Sequence, residues 1–187
     1  INVGSKYKEY FIEGKVPPLS LKILYWLCNQ LVLKNIKKLL GLNNCRYGLS
    51  GAAPISPELI NWYLSLGIDM REGWGMTETS GVGTAFYSRE IKLGHVGRAV
   101  NDSEIRIAED GEILFKGPGV FCGYLNKPEQ TKETLKDGWL HTGDVGEMDN
   151  YGNIKITDRK KDIIITAGGK NISPSEIENE LKFSPFV

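Results

Sequence analysis

The most apolar run of the chain lies between Leu19 and Leu40, LSLKILYWLCNQLVLKNIKKLL. Lys22, Asn29, Gln30, Lys34 and Asn35 interrupt it, so it falls short of the roughly 18 unbroken apolar residues of a membrane span. Leu24, Leu27, Leu31 and Ile36 predict an amphipathic helix that buries this face and stops at Gly41. A helix packed on a core accounts for the run; an interfacial helix on a membrane is compatible with Trp26 and the lysines but is not required. From Cys45 the texture changes. RYGLSGAAPIS reads as a short strand entering a small-residue loop, and Ser56-Pro57-Glu58 opens a helix to Leu66 that buries Ile60, Tyr63 and Leu64 and ends at Gly67. IDMREGWGM is then a second strand with a tight loop. Strand, loop, helix, strand predicts an α/β layer, whose ligands gather at the carboxyl ends of the strands. SGAAP and GWGMTETS both fall at such ends and are expected to face one crevice.

Beyond Gly94 the alternation becomes that of strands. SEIRIAEDGEILFKG predicts a hairpin turning at Glu109-Asp110-Gly111, and VGEMDNYGNIKITD a second turning at Asn150-Tyr151-Gly152. Between them GYLNKPEQTKETLKDGW carries a short helix near Pro128. Residues 94–157 therefore read as a small, barrel-like β subdomain. Asp158-Arg159-Lys160-Lys161-Asp162 taken alone reads as a solvated turn. IIITAGGKN predicts a buried strand before a double glycine. It is not a Walker phosphate loop, since Asn171 follows Lys170 and the earlier glycine is missing. Ser173-Pro174-Ser175-Glu176 is a capping box opening a helix to about Leu181. One strand and one helix cannot bury a core of their own, so residues 158–187 read as the start of a further unit.

Charge and cysteine content narrow the classes of partner. Lys and Arg number 23, equal to Asp and Glu, so no net charge points to nucleic acid. Cys28, Cys45 and Cys122 are few and widely spaced, which argues against a disulfide framework or thiolate zinc and fits a reducing, cytoplasmic compartment. His95 and His141 stand alone and make no metal centre by themselves. The sequence shows no signal peptide, begins at Ile1 and reads like a piece of something longer.

Five stretches, SGAAP, GWGMTETS, GYLNKPEQTKETLKDGWLHTGD, DRKKD and TAGGKNISPSEIE, stand in order. In order and spacing they resemble the adenylate-forming superfamily, specifically the AMP-forming acyl-CoA synthetases of the long-chain branch. Any one stretch is weak; five in register are specific, and they cover nearly everything after Cys45. The resemblance implies an α/β fold: residues 1–157 as the C-terminal portion of a large AMP-binding domain, and 158–187 as the hinge with the first strand and helix of a small α+β domain. Two further elements are expected outside the chain, a phosphate-wrapping loop before Ile1 and a lysine beyond Val187, which would make it an internal fragment.

The resemblance also implies roles for individual residues. Trp74 takes the position of an aromatic that stacks on adenine, with Gly73 and Gly75 letting backbone approach the nucleotide. Thr77 would hydrogen-bond the α-phosphate, and Glu78 resembles the magnesium ligand, a hard oxygen donor. Asp144 resembles the carboxylate that accepts from both ribose hydroxyls, and Arg159 the second ribose contact. Lys161 falls on the domain hinge. Ala52 and Ala53 would line the acyl and adenylate pocket, and Gly168 and Gly169 would meet coenzyme A. His141 reads as a packing or orienting residue, since the sequence shows it no partner. The implied substrates are a fatty acid, ATP with Mg2+, and coenzyme A. Two other readings stay open here: an adenylating enzyme for another acid or acceptor (an aryl or short-chain acid, a carrier-protein thiol), or a truncated, non-catalytic nucleotide-binding module.

Overall fold

The computed structural model describes residues 1–87, 91–165 and 171–182. Gly168, Gly169 and Pro185 lie outside the described residues. The chain divides into two compact units, Ile1–Glu72 with Phe86–Gly94, and Gly73–Ala85 with His95–Val187.

The first unit begins with α1 (Asn2–Ile12), α2 (Leu19–Cys28) and α3 (Lys34–Leu39), with a π-helical turn over Asn29–Leu33 joining the last two. That turn redirects the buried stripe. Leu33 is 1% exposed and packs with Leu66 and Ile68, flanked by Tyr25, Cys28 and Ile36. Leu24, Leu27 and Leu31, expected inside, are exposed. The wider i→i+5 turn adds one residue between Cys28 and Leu33, which puts Leu33 inside and leaves Leu31 out; Leu24 and Leu27 precede that turn, and α2 packs through Tyr25 and Cys28 in their place.

Strand β1 (Tyr47–Ser50), α4 (Pro57–Ser65) and β2 (Asp69–Glu72) form the expected α/β element. The strands are parallel, with Ser50 opposite Glu72 at their carboxyl ends. Ser56 caps α4 by accepting from the Leu59 N–H at 3.1 Å, Pro57 fills the first turn, and Ile60 and Leu64 are buried as predicted. The buried Arg71 is paired with Asp69 at 2.7 Å and donates to the Phe86 carbonyl at 2.8 Å.

The second unit contains β3 (Thr84–Ala85), β4 (Arg98–Ala99), β5 (Glu104–Ile107), β6 (Glu112–Lys116), α5 (Pro128–Thr134), β7 (Leu135–Lys136), β8 (Trp139–Met148), β9 (Ile154–Arg159), β10 (Ile164–Ile165), β11 (Asn171–Ile172) and α6 (Pro174–Lys182). Both predicted hairpins form, β5 with β6 and β8 with β9. Where a barrel-like subdomain was expected, β5, β6, β8, β7 and β9 make one antiparallel sheet, and among the described residues no strand pairing closes it. Long β8 is lined on one edge by β6, and it also pairs with β7 at its start and β9 at its end. The core is Trp74, Ile113, Phe115, Leu140 and Ile154.

DRKKD is not a uniformly solvated turn. Asp158 is 4% exposed on β9, accepts from the hydroxyls of Ser173 and Ser175 at 2.7 and 2.9 Å, and takes the Ser175 N–H at 3.1 Å. It thus ties the start of α6 to β9. Ile164, expected in a buried strand, is 55% exposed in the short β10–β11 pair.

The redirected stripe gives a direct test. Leu33→Ala should lower stability by about 2–5 kcal/mol, whereas Leu31→Ala should stay within about 0.5 kcal/mol. Denaturant midpoints of the two variants would show it; equal losses would mean that Leu31 also faces a core.

Candidate active site

The GWGMTETS loop closes on itself through its own backbone. Trp74 pairs with Thr84 in an isolated bridge, and its carbonyl accepts from the N–H groups of Gly83 and Thr84, both at 2.8 Å. A Cβ on Gly75 would collide with the Gly81 carbonyl, and one on Gly83 would stand 2.7 Å from Trp74 Cε3. The glycine at 75 is therefore required by the loop's own closure, and the one at 83 by the indole. Thr77–Thr79 form a single 3₁₀ turn, latched by Thr79 Oγ1, which accepts from Met76 N–H and donates to Met76 O, each at 3.0 Å. Thr77 is exposed and Glu78 half-buried. Tyr124 donates its hydroxyl to Glu78 Oε1 at 2.7 Å, while Oε2 has no partner among the described residues.

Thr142-Gly143-Asp144 interrupts the β6–β8 ladder, and the register shifts between Glu112 and Leu114. Gly143 is at φ +71°, a left-handed conformation that costs a non-glycine residue roughly 1–2 kcal/mol. Side chains replace the lost ladder bonds: Thr142 Oγ1 donates to Ile113 O at 2.7 Å, and Glu112 Oε1 accepts from Gly143 N–H at 2.9 Å. Asp144 then follows Leu140 and Thr142 on the buried side of β8, where it is 4% exposed.

Two donors hold that buried carboxylate. Trp74 Nε1 donates to Oδ2 at 2.7 Å, and Arg159 Nε lies 2.8 Å from Oδ1. Asp144 and Arg159 are direct cross-strand partners, so the β8–β9 register brings them together. Burial pushes the Asp144 carboxyl above its ordinary value, against the opposing pull of the Trp74 bond and the Arg159 charge. Trp74 itself is 8% exposed, in edge contact with Phe115 at 6.2 Å between centroids. It offers a ligand little of its ring face.

Sequence reasoning missed Glu112, which is 6% exposed and gathers Gly143, Lys160 and His141. Lys160 Nζ lies 2.9 Å from its Oε2 and 2.6 Å from Asp110, and His141 Nδ1 lies 3.3 Å from the same Oε2. His141 thus does have a carboxylate partner. Neither partner was legible, because Glu112 occupies an ordinary position in a hairpin and is turned inward only by the bulge opposite Gly143. Tyr124 was missed for a similar reason, being 46 residues from Glu78. Met76, Tyr124, Glu112, His141, Gly143 and Lys160 line part of one polar cleft of about 760 Å³.

The remaining predicted residues fall elsewhere. Ala52 and Ala53 are exposed in the first unit, on the loop after β1, with Ala52 at φ +65°. Lys161 is exposed in the turn after β9, which is closed by Asp162 N–H on Arg159 O at 2.9 Å.

As for candidate ligands, the donor set fits magnesium. Among the described residues no cluster of three or more acidic, histidine or cysteine residues could enclose a metal. Magnesium does not need one: it is commonly held by one or two carboxylates together with substrate phosphates and water, and Glu78 has an oxygen to give.

The family described as AMP-binding enzyme matches residues 16–125. The chain is 46% identical over 182 residues to the protein fadD11 of Mycobacterium tuberculosis, covering 97% of this chain and 32% of that one. It is 40% identical over 171 residues to the long-chain-fatty-acid–CoA ligase FadD15 of Mycobacterium bovis, covering 91% and 28%. Among solved structures it matches O-succinylbenzoate coenzyme A synthetase of Bacillus subtilis, in complex with ATP and magnesium ion. The TM-score is 0.70 at 34% identity, over 80% of this chain and 35% of that one. The chain thus spans about a third of the length of the relatives it matches.

Glu112 predicts a pH signature. Burial pushes its carboxyl up, but hydrogen bonds from Lys160, Gly143 and His141 outweigh this and hold it below the ordinary glutamate value. An acid depressed in the folded state adds stability above its unfolded value of about 4.3, and loses it as pH falls through the folded value. Glu112→Gln should therefore be less stable at neutral pH, and the difference should shrink as pH falls below about 4. Unfolding midpoints against pH would check this; a constant difference would remove Glu112 from the network's charge balance.

Proposed function

Since the chain belongs to the family of AMP-binding enzymes, we propose that its protein activates a long-chain fatty acid with ATP and passes the acyl group to coenzyme A. In the first step a carboxylate oxygen attacks the α-phosphorus and pyrophosphate leaves. In the second the thiolate of coenzyme A attacks the acyl carbonyl and AMP leaves. The observation that carries the reading is the Asp144–Arg159 pair, a buried carboxylate and a half-exposed guanidinium on adjacent strands.

In this reading Asp144 accepts from the two ribose hydroxyls. An ionised carboxylate has about four lone-pair sites, and Trp74 and Arg159 use one on each oxygen, so one remains on each. Arg159 adds the second ribose contact. The exposed Thr77 hydroxyl donates to the α-phosphate. Glu78 is the carboxylate that would hold Mg2+, with Tyr124 fixing its other oxygen. The ion, when bound, neutralises charge on the phosphate oxygens. Gly73 is assigned to the close approach of backbone to the nucleotide and Gly75 to the closure of the loop that carries it, while Ala52 and Ala53 are assigned to the adenylate and acyl pocket. Gly168 and Gly169, outside the described residues, are assigned to coenzyme A.

The boundary between the large domain and the small one lies at 157/158 in this proposal, with Lys161 as hinge. Its exposure supports that role, as does the absence of a backbone partner for its N–H among the described residues. The proposal includes a peripheral membrane contact, supported by Trp26, which is 59% exposed on α2. Among the described residues no helix is long and apolar enough to cross a membrane.

A second acid class is favoured by one comparison, since the matched solved structure is named for O-succinylbenzoate, an aryl acid. Acid-dependent AMP release by the full-length protein, over fatty acids of increasing length and a set of aryl acids, separates the two. Preference for aryl acids would overturn the fatty-acid reading.

In that protein Asp144→Ala should weaken ATP binding on the order of 10- to 100-fold, through loss of charge-assisted hydrogen bonds. Acid preference should not change. Unaltered ATP affinity would take Asp144 out of the ribose site.

Lys161→Pro should separate the half-reactions, because proline fixes φ near −65° where a hinge must turn. Acid-dependent pyrophosphate exchange should survive while acyl-CoA formation falls steeply. Retention of both activities would move the hinge elsewhere, and loss of both would indicate general damage to the fold.

A further inference from the structure

Trp74 has a second chemical handle besides its ring face. Its backbone is fixed by the Thr84 bridge, Gly83 gives up its side chain to the six-membered ring, and the edge contact with Phe115 closes another side. What remains directed outward from this packing is the N–H, at 2.7 Å from Asp144 Oδ2. The two residues are 70 positions apart, so no local turn explains the contact. Phenylalanine or tyrosine would fill much of the same space, but neither has a donor at the Nε1 position. Indole nitrogen donates and cannot accept, so it can bond only the carboxylate's lone pairs.

We propose that Trp74 is a positioning residue, whose indole N–H orients the Asp144 carboxylate for the ribose of the nucleotide. This rests on the ribose reading of Asp144 given above. With Oδ2 held by Trp74 and Oδ1 by Arg159, the carboxylate plane is set before ligand arrives. The remaining lone pairs then meet the two ribose hydroxyls without reorganisation, the situation in which charge-assisted bonds are strongest. Arg159 alone would not fix that plane, because its side chain is 51% exposed and free to exchange its partner for water. The buried indole is the rigid partner of the two.

The role separates from base stacking by which part of the nucleotide it affects. In the full-length protein, Trp74→Phe should weaken ATP binding while changing the affinity for 2′,3′-dideoxy-ATP little. The preference for ATP over that analogue should fall roughly tenfold, the worth of one charge-assisted hydrogen bond. In an Asp144→Ala background, Trp74→Phe should cause no further loss of preference. Phe115→Leu, which disturbs the packing around the indole but leaves its N–H, should keep the preference.

The outcomes are distinct. If Asp144→Ala itself leaves the preference intact, the ribose reading fails. If Asp144→Ala lowers it but Trp74→Phe does not, the positioning role fails. Equal weakening of ATP and the dideoxy analogue by Trp74→Phe would make Trp74 a stacking surface. Should Trp74→Phe fail to fold, the indole N–H resonance of the unaltered protein decides. It should shift when adenosine is added and stay in place with adenine alone; a shift with adenine alone would overturn the proposal.

Discussion

Burying a carboxylate inside a sheet is costly unless the charge is paired and hydrogen-bonded. Asp144, 4% exposed, meets that condition through one donor on each oxygen. Much of the second unit's local architecture serves that pairing. The β8–β9 register sets Arg159 opposite Asp144, the left-handed Gly143 and the ladder shift precede it, and the closure of the GWG loop delivers the indole. Moving β9 by one residue would turn Arg159 to the other face and leave the carboxylate with a single donor.

A second carboxylate supports the first from the neighbouring strand. Glu112 satisfies the Gly143 N–H that the ladder leaves unpaired, and it accepts Lys160, whose own N–H bonds to Gly143 O at 2.8 Å. The DRKKD stretch therefore divides its charges among separate tasks. Asp158 ties α6, Arg159 pairs with Asp144, Lys160 pairs with Asp110 and Glu112, and Lys161 with Asp162 stays in solvent. Such a division follows from strand alternation at the end of β9 followed by a turn.

Much of this is legible in the sequence. Turn chemistry marked both hairpins, the Ser-Pro cap marked α4, and GWGMTETS and HTGD marked the loops that carry Trp74, Glu78 and Asp144. These signals are local: a glycine with positive φ, a capping hydroxyl or a two-residue alternation acts within a few positions. In the Leu19–Leu40 segment Leu31 was misread because one π-turn shifts the period, and nothing in its composition announces such a turn; Leu24 and Leu27 precede it, and Tyr25 and Cys28 pack inward in their place.

Residue order alone thus specified the elements, their turns and the set of polar residues available for chemistry. It did not specify which polar groups touch. Trp74 meets Asp144 across 70 residues, and Tyr124 meets Glu78 across 46. Those pairings depend on strand register, on a ladder shift at Gly143 and on the space left by Gly83, each of which exists only once the sheet has formed. An indole in a sequence can be a ring face or an N–H donor, and its packing is what selects between them.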